Sequence, residues 1–345
     1  MENNYDVFKY LKPLENTRLS DYTGYDLIDL LDYINKYFLE YRDKLFVTNR
    51  SSIGCEIEFE NRDNSLLIPK KYEDSEIQSG WILREDGSLN NGGELVSPIF
   101  YNNKSSWKNF KDFFDIFDEN IYIDDMCSAH VHIGTPLLGN KPLSWNHFLK
   151  LWQVYENVIF RFCYGEYLNG RRAVLKYCPP IAKKLNDYFK AMTYEYGKYY
   201  DEKKIMPTRE FNFQDNFTKT RYHVVNFSNI SDYESFAEYN TIEFRLANGT
   251  LNPIIWQNLI NFYISILSYA KSNKFDQDTV LKRDSERDYN SKLFTYNKIY
   301  FEEAIELCDL IFDKNIDKVY FLRQYMKDKE VSYHPSLVKS KKFTI

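Results

Sequence analysis

Glycine and proline are scarce in this 345-residue chain, at 12 and 10 residues, which excludes a collagen-like repeat, a linker-dominated architecture and a low-complexity disordered chain. Cysteine is scarce too: Cys55, Cys127, Cys163, Cys178 and Cys308 are odd in number, widely spaced and without a C-x-x-C pair. Neither a disulfide framework nor a structural zinc site is expected, and a reducing compartment is. No apolar run reaches the roughly 20 residues of a membrane span, since the most apolar stretch, 254–270, is broken by Gln257, Asn258 and Asn261. Residues 1–15 lack the apolar centre of a signal peptide, so a cytoplasmic protein without membrane contact is expected. Neither G-x-x-x-x-G-K-[ST] nor G-x-G-x-x-G occurs, which excludes P-loop and Rossmann nucleotide binding. No Ser/His/Asp triad is suggested.

An excess of one charge is also missing. Lys and Arg number 45 against 50 Asp and Glu, a net charge of −5, so general nucleic-acid binding is not expected. Aromatics are abundant instead: 30 Tyr, 26 Phe and 5 Trp make 18% of the chain. They are the stuff of a large core, and codon bias toward A/T accounts for part of the excess. They do not by themselves indicate a stacking surface.

Hydrophobic spacing places a helix over 24–44 through Leu27, Leu30, Leu31 and Ile34, and another over 145–168 with Ser144 as its N-cap. Short β-like runs follow each other at 53–60, 81–84 and 94–100, with an aromatic helix at 107–117 and a strand at 128–134. Two more strands fit 222–228 and 241–247. Asn252-Pro253 reads as an N-cap with Pro at the first helical position, opening a helix to about 272. Helices at 296–313 and 316–328 close the pattern. Interleaved helices with hairpin-like links predict an α+β fold whose sheet is curved and mainly antiparallel. The expected organisation is a helical segment 1–50, a catalytic domain 51–273 with an insertion or lid at 183–221, and a helical extension 274–345.

Several strands alternate in an unusual sense. Period two puts Glu56, Glu58 and Glu60 on one face of 54–60 and Cys55, Ile57 and Phe59 on the other. The same rule pairs His130 with His132, and Glu243 with Arg245. Charged residues at alternate positions usually face water on a half-buried sheet. Like charges along one strand also repel, a cost that a bound cation reverses. A carboxylate face with imidazoles and an arginine is what hard divalent cations and phosphate oxygens require.

These residues carry a resemblance. Gly54-x-Glu56-x-Glu58-Phe59, Asp86-Gly87-Ser88 with Glu94-Leu95-Val96-Ser97-Pro98, His130-Val131-His132-Ile133-Gly134, Arg171-Arg172 before Tyr177-Cys178, Arg221-Tyr222 with Val225-Asn226, and Thr241-Ile242-Glu243-Phe244-Arg245 with Gly249-Thr250 resemble, in order and in kind, the putative amidoligase family. That family is part of the carboxylate-amine ligase superfamily, whose fold is of the glutamine synthetase and glutamate-cysteine ligase type. The likeness runs from Gly54 to about 272, and residues 1–50 and 275–345 match no pattern. It implies a sheet curved around a funnel for ATP and Mg²⁺ or Mn²⁺. Glu56, Glu58, Glu94, Glu243 and His130 would be metal ligands. His130 or His132 would stand near the nucleotide phosphates, with Arg245, Arg172 and Arg221 neutralising the transferred phosphoryl group. The implied activity is ATP-dependent ligation of a glutamate-like carboxylate to an amine through an acyl phosphate, with small-molecule or peptide substrates. Glu60 and Asp86 are candidates for the proton acceptor, although Asp86 in Asp-Gly-Ser also suits a plain turn. The alternatives are a metal-dependent hydrolase using His-x-His and a non-catalytic scaffold that keeps the fold.

Overall fold

The computed structural model describes residues 7–62, 74–117, 119–165, 170–172, 174–195, 221–230, 240–289 and 300–327. It is an α+β protein built on one open antiparallel sheet of eight strands. The strands are β1 (Ile53–Asn61), β2 (Ser75–Glu76), β3 (Ile82–Glu85), β4 (Gly92–Val96), β5 (Ile121–Tyr122), β6 (Ser128–Gly134), β7 (Val225–Asn226) and β8 (Thr241–Asn248). Their order is β2-β3-β4-β1-β6-β8-β7, with β5 pairing the end of β1. Both edges are strands of only two residues. The expected strand at 222–228 shrinks to β7, and that at 94–100 ends at Val96, where the Ser97 hydroxyl accepts from Cys55 N–H at 2.9 Å and donates to Pro98 O.

Described helices are α1 (Gly24–Lys36), α2 (Lys104–Phe113), α3 (Pro142–Cys163), α4 (Val174–Tyr177), α5 (Ala182–Glu195), α6 (Pro253–Lys271), α7 (Gln277–Ser285), α8 (Phe301–Ile311) and α9 (Asn315–Met326). None of the described helices is long and apolar enough to cross a membrane. Two starts contrast. Asn252 caps α6 as expected, its side chain accepting from Ile254 N–H at 2.9 Å. Ser144 does not cap α3: the helix begins at Pro142, with Lys141 at the cap position and no side-chain bond there. Proline, with its fixed φ and missing N–H, is the better opening, and it leaves Ser144 inside the first turn. Most of the expected insertion, 196–220, and the tail 339–345 lie outside the described residues.

One face of the sheet is apolar. Leu83, Leu95, Ile57, Ala129 and Ala247 oppose one another across five strands, as do Cys55, Val131, Phe244 and Val225 across four. Helices α3 and α6 cover this face. The Phe244 ring stacks on Tyr263 of α6 with centroids 3.9 Å apart and on Trp152 of α3 at 5.7 Å. Trp152 is thus core, and all five cysteines are buried and free. Nearly every residue of α3 is buried, polar ones included, because the sheet lies on one side of it and α5, α7, α8 and α9 pack around the rest.

The segment 12–20 is bonded to α8 and α9. Asn315 of α9 accepts from Thr17 N–H at 2.8 Å and donates to Lys12 O and Thr17 Oγ1. Lys318 donates to Thr17 O and to Asp309 Oδ1, each at 2.7 Å, and the Asp309 carboxylate takes the N–H groups of Leu19 and Ser20.

Candidate functional site

The other face of the sheet is polar, and strand register explains how. Cross-strand partners share a face. Arg84, Glu94 and Glu58 stand opposite one another on β3, β4 and β1; Glu56 faces His130 across β1 and β6; His132, Glu243 and Asn226 align across β6, β8 and β7. A β-bulge lets Arg245 and Leu246 together oppose His130, between the pairs Ala129–Ala247 and Val131–Phe244. It flips the alternation of β8, so that Glu243 and Arg245 face the site while Ala247, two residues on, faces the core.

Glu56 is the hub. Its Oε2 lies 2.8 Å from His130 Nδ1 and its Oε1 3.0 Å from His132 Nε2. His130 Nε2 meets Ser128 Oγ at 2.8 Å and stands 3.6 Å from Glu58 Oε1. The other Glu58 oxygen accepts from Ser128 N–H at 2.7 Å. Glu243 pairs with the Arg245 guanidinium and accepts from Asn226 Nδ2 at 2.6 Å. The two histidines therefore do not chelate a common point but flank one carboxylate.

Electrostatics separates the acids. Burial would raise the Glu56 carboxyl, but the bonds from His130 and His132 outweigh it and hold it well below the usual range. Glu243 is treated alike: burial opposes ionisation, and His130, His132 and Arg245 together bring it down. Glu94 goes the other way. Burial, then the charges of Glu56, Glu58 and Asp86, push it up to about 9 against the weaker pull of Arg84. This corner of the site holds more negative charge than its own cations match.

The residues line one cavity of about 820 Å³, a volume ordinary for a cofactor or substrate site. Glu56, Glu58, Glu94, Glu243, His130, His132, Arg221 and Arg245 all reach it. Arg172 is not among the lining residues: its side chain is 62% exposed and sits 3.6 Å from Asp125. The lining arginine is its neighbour Arg171, a distinction that no periodicity could make in a segment preceding a four-residue helix. Asp86 is both turn residue and site residue. Its Oδ1 accepts from Ser88 N–H and Oγ at 2.7 and 2.6 Å, and it also lines the cavity. Glu60 is spent elsewhere, its two oxygens accepting the N–H groups of Asn90 and Asn91 at 2.9 Å. This straps the β3–β4 loop to β1 and fixes Asp86. Just beyond the strap a Cβ on Gly92 would lie 1.9 Å from Phe59 O, so the close approach requires glycine there.

Three groups of ligand atoms within 4.8 Å of one another could hold a metal ion: Glu56 with His132 and Glu243, Glu56 with Glu94 and His130, and Glu58 with Asp86 and Glu94. The donor set is oxygen-rich with single imidazoles, which suits Mg²⁺ or Mn²⁺ over softer ions. Glu94 is raised first by burial and then by the charges of Glu56, Glu58 and Asp86, and a divalent ion there would neutralise the latter.

A family model described as putative amidoligase enzyme matches residues 41–267, a span that contains every residue named above as lining the cavity. No curated protein matches the chain.

Proposed function

The chain belongs to the putative amidoligase enzyme family, which makes it an enzyme of the ligase kind, and from that premise we propose an ATP-dependent carboxylate–amine ligase working through an acyl phosphate. Supporting this reading above all is the cavity itself, which brings carboxylate clusters suited to divalent cations together with arginines suited to phosphate. The acid is a glutamate-like carboxylate, and the substrates are small molecules or peptides. The catalytic unit corresponds to 51–273.

A carboxylate is a poor electrophile, so its oxygen must first take the γ-phosphoryl of ATP, giving an acyl phosphate that the amine attacks with loss of phosphate. Phosphoryl transfer asks a protein mainly for positioning and charge neutralisation. Glu56, Glu58, Glu94, Glu243 and His130 would hold Mg²⁺ or Mn²⁺, which supplies neutralisation at the phosphate oxygens. His132 orients Glu56 from its second side. Arg245, steadied by Glu243, and Arg221 neutralise the group in flight. The amine attacks as the free base and must release a proton on or after attack. Glu60 cannot serve, since both oxygens are committed to backbone N–H groups. Asp86 lines the cavity and takes both Ser88 donors on Oδ1, so Oδ2 is the better acceptor. A hydrolase built on His-x-His gains no support, because His130 and His132 fall into separate ligand groups.

The test is ADP release by the purified chain with Mg²⁺, ATP and panels of acids and amines. Release that requires both an acid and an amine, with the joined product identified by mass, is the expected result. Absence of ATP binding at millimolar Mg²⁺ would end the proposal.

A further inference from the structure

One buried cation of the cavity has no carboxylate partner among the described residues. Arg171 is 4% exposed and lines the cavity. Asn248 Oδ1 anchors its backbone N–H at 2.9 Å. Nη2 donates to Cys178 Sγ at 2.7 Å and to Arg245 O at 3.1 Å, both neutral acceptors. The buried Nε has no acceptor, and no carboxylate of the described residues pairs with the guanidinium. A guanidinium carries five donors and does not give up its proton at ordinary pH, so burying it without an anion is costly.

Arg42 and Arg245 also leave Nε without an acceptor, but each has an anion. Arg42 meets Asp317 at 2.6 Å, and Arg161 donates to the C-terminal carbonyls of α9 at Tyr325 and Met326, where the helix dipole is negative. Arg245 in the same cavity has Glu243. Arg171 differs in being buried and cavity-lining with no carboxylate of the described residues beside it.

Its place in the fold says what it serves. The carboxylates of the ligand-atom groups project from the sheet or from the β3–β4 loop, whereas Arg171 precedes α4 and reaches the edge of β8 beyond the end of β7, at Arg245 O. Tyr177 at the end of α4 and Arg221-Tyr222 before β7 line the cavity with it, the two tyrosine rings 6.1 Å apart. This wall is cationic and hydroxyl-bearing, and it contributes no member to the three ligand-atom groups.

We propose that Arg171 is the specificity-determining residue for the acid substrate: it pairs with a second, non-reacting carboxylate, so that the enzyme takes dicarboxylates and discriminates against monocarboxylates. The planar guanidinium fork matches a carboxylate edge. The inference rests on the ligase reading only for the fate of the other carboxylate, not for binding.

Isothermal titration of the full chain, with and without Mg²⁺ and a non-hydrolysable ATP analogue, tests it with glutarate, L-glutamate, pentanoate, γ-aminobutyrate and inorganic phosphate. Glutarate or L-glutamate should bind at least about tenfold tighter than pentanoate and γ-aminobutyrate, as expected where a site group is left unpaired by the wrong ligand. Arg171→Met should erase that preference, and Arg171→Lys should restore part of it. The wild-type preference decides the matter even if Arg171→Met fails to fold. Equal binding of mono- and dicarboxylates, no binding of any probe, or an undiminished preference in folded Arg171→Met overturns the proposal. So does preferential binding of phosphate that Arg171→Met abolishes, since Arg171 would then serve the phosphoryl group. ADP release separates the two readings: turnover of monocarboxylates would sink this inference alone, and dicarboxylate binding without any ATP consumption would sink the ligase reading alone.

Discussion

Two buried charge clusters in this molecule obey opposite rules. Where the segment 17–20 meets α8 and α9, Lys318 and Asp309 are nearly inaccessible, and Asp309 also takes the N–H groups of Leu19 and Ser20 while Lys318 takes Thr17 O. Every charge there has its opposite. On the polar face of the sheet, Glu56, Glu58, Asp86 and Glu94 crowd one corner, and burial, then the charges of Glu56, Glu58 and Asp86, drive Glu94 toward neutrality. The first cluster is complete as folded and holds the segment 17–20 against α8 and α9. Both clusters border a cavity, but only the second crowds carboxylates there beyond what its own cations match. Balance marks charges that serve stability; imbalance inside an accessible pocket marks charges that serve a ligand.

The contrast can be broken in several ways. Replacing Glu56 or Glu243 by alanine should lower ligase turnover at least about a thousandfold, as loss of preorganised charge at a reacting phosphoryl does, and Glu94→Ala should lower turnover while the melting temperature measured without metal does not fall, since it removes a carboxyl crowded by Glu56, Glu58 and Asp86. Asp309→Ala should do the reverse, leaving Lys318 buried and unpaired at a cost of about 3–5 kcal/mol, read by urea unfolding, with cation affinity unchanged. A stable Asp309→Ala protein would show that the two clusters are not so different. Glu60→Gln tests the strap between them in kind: it should weaken Mn²⁺ binding about tenfold or more, as loss of an outer support does, and should add little to Asp86→Asn in the double variant, as coupled sites do. Full additivity would mean that Glu60 does not act through Asp86.

The smallest effect is in pH. The Glu94 carboxyl goes from an ordinary 4.5 to about 9 in the fold. Between those values the folded protein holds a proton that the unfolded chain has lost, so its contribution to stability is full below about pH 4.5 and falls away toward pH 9. Chelator-treated protein should therefore melt a few degrees lower at alkaline pH than at mildly acid pH. Glu94→Gln should flatten that dependence, and a divalent cation should reverse it in the parent. An unaltered slope in Glu94→Gln would place the titration elsewhere.

Much of this site was legible because period two is short. In β1, β6 and β8 alternation alone put Glu56 with Glu58, His130 with His132 and Glu243 with Arg245, and the register then brought the three pairs onto one face. Glu94 and Arg221 came from the ordered likeness rather than from any pattern, and both reach the cavity. What escaped has physical reasons. Glu60 obeys the same alternation as Glu56 but sits where β1 passes the β3–β4 loop, and strand parity cannot tell a residue facing the pocket from one spent on a turn. The bulge in β8 is invisible in Thr241-Ile242-Glu243-Phe244-Arg245, because it depends on pairing with β6. Arg171 and Arg172 are adjacent in an irregular segment, where nothing local decides which one turns inward. Proline at 142 outranks Ser144 as the start of α3, a preference readable in principle from φ alone. The α+β class was sound because hairpin-length links between β3 and β4 leave no room for crossover helices.

The shortness of β2 and β7 has a further consequence. A sheet of this size with long free edges would present rows of unpaired N–H and C=O groups to other chains, and strand addition is the usual route from there to aggregation. Two-residue edges offer almost no ladder to join. Among the described residues, the borders of the sheet thus give a neighbouring polypeptide little to pair with, while its polar face keeps a cavity for a small molecule.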